Sequence, residues 1–539
     1  MRVLLALSSV ALLALVLRAA YIADTPDWDY DEGCNLNYAL NLASGRMQYF
    51  DYIHHFIPHP PGYFIAAAAS LAVLPSTLLS LRLLSAALSV LGLLLVYGMV
   101  RREYGVLVGM MAALGFTVYP ELVFWNRMGF ANNLLSVLAL GSMYFAQGYF
   151  RGGRTRDLAA SALLAGLCPL TEYTGIVFVA ALLALVRWHE PRRLGYAAAV
   201  AFAPLAFFAA SMTVLDYGGF ILDLGNYVGL YPLALPLLAA AALAWAVFSG
   251  WAHRIIQSTD YTEGKPSFAV LLLPVAAAFF ALEPLNAQTL YGGGYASPMM
   301  AFGAFSLFLL GRGLFRDLVL VNLGAYAALM LALNRWDHMS IPLHHLLAVA
   351  SAPVLYQALR YVSPLYESGR RLVPAFAAAI ILLPFAGSLW LDLGAFFFGG
   401  LCGSDEAQVS GICEAVNRLA FRGELVVAPT FFAPCMEADM TVWENVLPYN
   451  GVRFAYWNRA YGAGEYARNL SVENIGYAVM DAGTLLEVES GRGDQARIFG
   501  GLKDWELVYE SNGTVGEGCR RSYVVLRNPG ASPDYSSNS

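Results

Sequence analysis

The stretch after the first apolar run holds an unusual density of chemically useful side chains. Asp24, Asp27, Asp29, Asp31 and Glu32 place five acids within nine residues, with Trp28 and Tyr30 among them. His54, His55 and His59 follow, the last directly before Pro60-Pro61. These three histidines with Asp29 and Asp31 form a borderline donor set that suits a divalent metal such as zinc or manganese. No fixed ligand spacing defines such a site, so a divalent metal is a candidate cofactor and not a requirement of the sequence. An isolated acid cluster is ordinarily a solvated loop. Four features weigh against that here: the aromatic residues among the acids, the histidines, the double proline and a helical pattern. Leu36, Leu40 and Ala43 recur at helical spacing within 33–44, which predicts an amphipathic helix along a membrane surface.

The elements that must position these residues are built for lipid. Of 539 residues 58% are hydrophobic and 13% charged, and the mean hydropathy is +0.56. Soluble domains carry about 25% charge, so the composition predicts a polytopic α-helical membrane protein. Roughly 20 apolar residues cross a bilayer core, and fourteen candidate runs stand between 3–21 and 372–391. No small-residue cleavage site follows 3–21, which therefore reads as a retained span. Basic residues at Arg101-Arg102, Arg151/Arg154/Arg156, Arg187/Arg192/Arg193, His253/Arg254/Lys265, Arg312/Arg316 and Arg370/Arg371 mark cytoplasmic loops. The loops 123–129, 172–173, 214–231, 284–296 and 334–341 then fall outside, as does the C-terminal region. That parity admits an odd number of crossings. The run 62–79 is accordingly expected to be re-entrant or interfacial, leaving about thirteen transmembrane helices. A net charge of −6 offers no basic face for nucleic acid.

Charge becomes frequent from about residue 400, and this shift divides the chain. The expected organisation is a membrane domain over 1–399 with its first extracytoplasmic loop at 22–61, a small extracytoplasmic α/β domain over 400–528, and a disordered tail over 529–539. Within the α/β domain the pattern predicts a helix at 406–422 and strands at 424–429, 476–481 and 523–527. Cys402, Cys413, Cys435 and Cys519 suggest two disulfides and an oxidising compartment. The glycosylation sequons at Asn469 and Asn512 are consistent with the same side. Trp443, Tyr449, Tyr456, Trp457 and Tyr461 read as core packing or membrane contact before a sugar-binding face. The Tyr291-Gly-Gly-Gly loop reads as a hinge and lacks the lysine of a phosphate cradle.

Several stretches, in order, resemble one superfamily. An Asp-Glu pair follows the first span, a surface helix ends in glycine, and Pro60-Pro61 opens the next run. Arg82-Leu-Leu-Ser-Ala-Ala-Leu running to Arg101-Arg-Glu-Tyr-Gly105 is similar to a third hydrophobic segment. Tyr119-Pro-Glu-Leu-Val-Phe-Trp-Asn-Arg127-Met-Gly-Phe-Ala-Asn132-Asn is similar to the next outside loop, and Gly166-Leu-Cys-Pro-Leu-Thr-Glu172 to a segment that usually carries lysine where Glu172 stands. Together these resemble the GT-C superfamily of membrane glycosyltransferases, in the branch of protein O-mannosyltransferases and lipid A aminoarabinose transferases. The likeness is good over about 20–190 and looser to 391.

The resemblance implies inverting transfer of a sugar from a polyprenyl- or dolichyl-phosphate carrier to a protein, lipid or glycan acceptor on the outer face of the cell membrane. Asp31 matches the family's catalytic aspartate and would take the acceptor proton. Glu32 would orient it or bind substrate hydroxyls, and Asp29 is the reserve. The lipid-phosphate leaving group needs cations or a metal. His59 stands where relatives often place lysine. Arg335 suits forked binding of phosphate oxygens, with His338, His344 and His345 beside it in sequence. For Arg127 and Glu172 a structural ion pair and a substrate role both remain open. Two other readings stand: a transporter or flippase, disfavoured because no repeat or midplane charge pattern is visible, and a non-catalytic scaffold of the same fold.

Overall fold

The computed structural model describes residues 1–23, 25–44, 60–75, 77–215, 297–307, 313–333, 338–367, 372–396, 406–420, 424–437, 439–441, 475–491, 500–511 and 522–530. His54, His55, His59 and Arg335 lie outside the described residues, as do the runs 232–250 and 268–283 and the Tyr291 loop. So do Cys402, Cys519, both sequons and the aromatic group at 443–461.

Four helices come first: α1 (Arg2–Ala19), α2 (Tyr30–Ser44), α3 (Gly62–Leu71) and α4 (Leu78–Tyr104). Next are α5 (Val106–Thr117), α6 (Pro120–Trp125), α7 (Ala131–Gly152), α8 (Thr155–Thr171), α9 (Ile176–His189) and α10 (Leu194–Leu215). Further on lie α11 (Pro298–Ser306), α12 (Leu314–Leu333), α13 (Ile341–Ala350), α14 (Ala352–Glu367) and α15 (Leu372–Phe396). The turns between them follow local chemistry. Gly105, at φ 90°, takes the chain from α4 into α5 in one residue, a conformation that favours glycine. Pro120 opens α6, where its missing N–H costs nothing.

Among the described residues six helical stretches are long and apolar enough to cross a bilayer: Arg2–Ala19, Leu78–Tyr104, Pro191–Val214, Leu314–Leu331, His338–Ser363 and Ala378–Phe396. Large apolar side chains stand out from the protein along them, including Leu4, Leu12, Phe207 and Trp390. Lipid, not water, is the solvent such a surface requires. The chain is a multi-pass membrane protein. The ten residues of α3 rise only about 15 Å, half of the roughly 30 Å hydrocarbon core.

The described chain divides into two compact units. The first comprises 1–20, 83–211 and 232–400. Within it two buried arginines tie helix ends together. Arg18 of α1 donates to the carbonyls of Phe116 (3.1 Å) and Thr117 (3.0 Å) at the end of α5, and to Asn126 Oδ1 (3.2 Å). Arg127 donates in turn to the carbonyls of Leu17 (2.7 Å) and Ala20 (2.6 Å) at the end of α1. The last carbonyls of a helix have no partner inside it, and cations are favoured at that end.

The second unit comprises 21–82, 212–231 and 401–539. Its sheet runs β1 (Leu425–Val427), β2 (Asp439–Thr441), β3 (Ile475–Asp481), β4 (Glu506–Glu510) and β5 (Tyr523–Arg527), in spatial order β2-β1-β3-β5-β4. β1 is parallel to β2 and β3, and β5 is antiparallel to β3 and β4. The strand Ile475–Asp481 is buried on both faces nearly throughout, which explains its unbroken apolar sequence. Leu425, Val427, Ala478, Met480, Val524 and Leu526 form one core. Tyr477 points its hydroxyl to the Leu419 carbonyl (3.0 Å) at the end of α16 (Glu406–Leu419). The sheet's other described helix, α17 (Ala482–Ser490), is capped by Asp481, which accepts the Thr484 N–H at 2.9 Å.

Cys413 of α16 and Cys435 form a disulfide across 22 residues of sequence, so one of the two bridges expected among the four C-terminal cysteines is present. Closing a loop of that length removes unfolded-state entropy worth about 3 kcal/mol. The Cys413→Ser/Cys435→Ser variant of the full chain should lose that much stability, read as faster amide exchange in β1 and β3, with exchange in α7 and α8 unaltered.

Candidate active site

The expected surface helix starts earlier than the sequence pattern indicates, at Tyr30, so Asp31 and Glu32 belong to its first turn. The reason is a capping box. The carboxylate of Asp29, the residue before the helix, accepts the Asp31 N–H at 2.8 Å. Glu32 reaches back to accept the Asp29 N–H at 3.3 Å. Three carboxylates thus gather on the positive end of one helix, where the dipole favours them. The helix is not amphipathic in its burial: residues 32–39 are buried on every face. α3 packs on one side, with Tyr38 and Phe64 edge to face at 5.2 Å, and the turn Thr430–Cys435 packs on another.

Arg82 organises this turn. Its Nε donates to Glu32 Oε1 (2.9 Å) and its Nη2 to Glu32 Oε2 (2.6 Å), with both side chains fully buried. Nη1 donates to the carbonyls of Ile22 and Pro26, each at 2.9 Å, and Nη2 also to that of Asp27 at 3.2 Å. All five guanidinium donors are used. Arg82 therefore staples 22–27 and the first turn of α2 to the base of α4. Trp28 completes the entry, its indole N–H donating to the Ala23 carbonyl at 2.9 Å. Asp31, half-buried, occupies the middle of the acid triplet.

The remaining described candidates belong to the first unit. Arg127 sits under the end of α1 as described, its guanidinium 4.2 Å over the Phe396 ring. Its contacts are those of a helix cap. Glu172 is buried where α8 ends, and its carbonyl accepts the Gly175 N–H at 2.8 Å. His338 stacks on Phe130 with centroids 4.5 Å apart. His344 is buried between the Tyr119 hydroxyl (Nδ1, 3.1 Å) and the Ser340 hydroxyl (Nε2, 3.2 Å). His345 donates Nδ1–H to the Ile341 carbonyl at 2.9 Å, which fixes its tautomer, and lies edge-on to Phe116. The segment 119–130 and the start of α13 are thus brought together. Among the described residues no three His, Cys, Asp or Glu side chains gather as a metal site.

Residues 58–215 match the family model of dolichyl-phosphate-mannose-protein mannosyltransferases. No curated protein matches the chain by sequence. Among solved structures, the apo oligosaccharyltransferase of Archaeoglobus fulgidus is similar with TM-score 0.56 at 14% identity, over 90% of this chain and 70% of that one. ArnT from Cupriavidus metallidurans bound to undecaprenyl phosphate is similar with TM-score 0.52 at 13% identity, over 98% of this chain and 99% of that one. The chain has a GT-C fold. A third structure of that fold, AglB from Archaeoglobus fulgidus with an inhibitory peptide and a dolichol-phosphate, has TM-score 0.55 at 15% identity, over 91% of this chain and 70% of that one.

Within this fold, Arg82 is a residue that the sequence pattern does not single out, since it stands near the start of an apolar segment. The signal was present: an arginine heading an apolar helix is costly unless it has fixed partners. Removing one member of a buried ion pair leaves the other uncompensated and costs about 3–5 kcal/mol. Arg82→Met and Glu32→Gln should each lower the thermal midpoint of the protein in nanodiscs. The double variant should lose clearly less than the sum, and strict additivity would show that the two side chains do not act as a pair.

Proposed function

We propose that this protein is an inverting glycosyltransferase that moves a sugar from a polyprenyl-phosphate carrier to an acceptor on the extracytoplasmic face. The observation that carries the reading is the first turn of α2. Its backbone is held by the Asp29/Glu32 capping box and by the Glu32–Arg82 pair, and Asp31 stands at its second position. A carboxylate fixed in this way can be aimed at an acceptor hydroxyl. The family match and the GT-C fold agree with that chemistry.

In the proposed reaction the acceptor oxygen attacks the anomeric carbon in line with the carrier phosphate. The bond from that carbon to the phosphate oxygen breaks as the new glycosidic bond forms. The acceptor proton passes to the Asp31 carboxylate, and the polyprenyl phosphate leaves with the bonding pair. Asp31 is the base. Glu32 holds the turn through Arg82, and Asp29 caps it. His59, by its position in the family pattern, and Arg335, by residue type, are proposed to meet the carrier phosphate. The Cys413–Cys435 disulfide supports an oxidising, extracytoplasmic location for the C-terminal domain.

The test uses the full-length protein in proteoliposomes with dolichyl phosphate mannose and undecaprenyl-phosphate-linked sugars as donor probes. Loss of a general base costs about 10²–10⁴-fold in rate, so Asp31→Asn should cut transfer by that factor with the fold intact. Transfer that continues at the wild-type rate in Asp31→Asn would sink the catalytic assignment. Mass spectrometry of surface glycans in a deletion strain identifies sugar and acceptor by the one that disappears.

A further inference from the structure

We propose that the C-terminal α/β domain sets the position of Asp31 through Gly33, Thr430 and Phe431, a positioning role that rests on the function proposed above. Open α/β sheets bind their ligands outside the carboxyl ends of the parallel strands. Here that edge is formed by β1, flanked on both sides by parallel strands. The chain leaves β1 at Val427 and enters the short turn Thr430–Cys435 after two residues. Tyr523, which begins β5 and pairs with the last residue of β3, closes over the same end. Its ring meets those of Phe431 and Phe432 at 6.0 and 5.3 Å. What occupies this edge is α2.

The contact falls on the catalytic turn itself. Gly33 lies two residues after Asp31. A Cβ at Gly33 would lie 2.5 Å from the Thr430 hydroxyl and 2.7 Å from the Phe431 Cα, closer than real side chains approach. The Gly33 backbone therefore packs directly on the Phe431 backbone, beside the Thr430 hydroxyl. Trp28 adds a ring contact to Phe431, edge to face at 5.7 Å. The turn is itself anchored. Cys435 is bonded to Cys413 of α16, and its carbonyl accepts the Asn417 side chain at 3.0 Å. Asn417 in turn accepts the Glu437 N–H at 2.8 Å. Asp31 is thus located from two directions: by Arg82 through Glu32, and by the sheet domain through Gly33. A displacement of about 1 Å at a reacting group can cost about 10²-fold in rate, so a backbone contact two residues away has leverage on catalysis.

The experiment compares Gly33→Ala and the milder Phe431→Leu with wild type, as full-length protein in nanodiscs. Dolichyl phosphate mannose is the donor probe, with undecaprenyl-phosphate-linked sugars where the first is inactive. Amide exchange over 30–44 should rise. The kcat should fall by about tenfold or more while the donor KM stays within about twofold. The acid limb of the pH–rate profile should also move, because the base has a new environment. A smaller folded fraction would lower apparent kcat but leave that limb in place. Faster exchange with kcat and the acid limb unaltered would overturn the inference and leave the glycosyltransferase reading standing. Lower kcat with exchange over 30–44 at the wild-type level would also overturn it. A wild-type protein that transfers from no lipid-linked sugar would remove the function and this inference together.

Discussion

A buried guanidinium held against a buried carboxylate governs how the acidic loop of this protein is arranged. Taking Arg82 and Glu32 out of water is expensive, and a bare ion pair does not recover that cost. Here the geometry is forked, and the three donors that Glu32 does not take meet the carbonyls of Ile22, Pro26 and Asp27. Those carbonyls belong to an irregular segment with no ladder of its own, and without Arg82 they would be buried polar groups in search of partners. One side chain thus gives a loop the definition that a loop lacks. The capping box then sets where the helix starts, and the acids follow in a fixed order along its first turn.

The same device recurs in the membrane-spanning unit. Arg18 and Arg127 each leave one element to satisfy the terminal carbonyls of another, reciprocally between α1 and the α5–α6 turn. A buried helix end has no water to bond, so the protein must supply the donor. Arginine does this well because its several donors reach several carbonyls at once. In each unit, arginine charge goes into holding backbone: Arg18 and Arg127 in the first, Arg82 in the second.

The sheet domain shows a comparable economy. Its strand order creates an edge of the sort that α/β folds use for ligands, and the polypeptide fills that edge with its own helix. Gly33 at the contact, the disulfide behind it and the aromatic cluster of Phe431, Phe432 and Tyr523 all act on one turn. A backbone contact of this kind ties the first turn of α2 to the sheet.

Much of the architecture was legible in the residues themselves, because apolar content, run length and basic loops answer directly to the bilayer. The helices at 2–19, 78–104 and 372–396 follow from their composition, as do β3 and β5 from their unbroken apolar runs. The strands Asp439–Thr441 and Glu506–Glu510 do not, since one is three residues long and the other an exposed edge without a strong pattern. The acid cluster stood out by density alone. Its division of labour did not: that Glu32 is held in a buried ion pair depends on Arg82, some fifty residues away in sequence. The burial of α2 depends on Thr430 and Phe431, nearly four hundred residues on. Sequence by itself determined that a chain of this hydrophobic pattern lies in lipid and which residue types line its loops, since those properties are local. Only tertiary structure decided which carboxylates hold the turn and which one it presents, because hydrogen-bond partners and backbone contacts are set by what folding brings together.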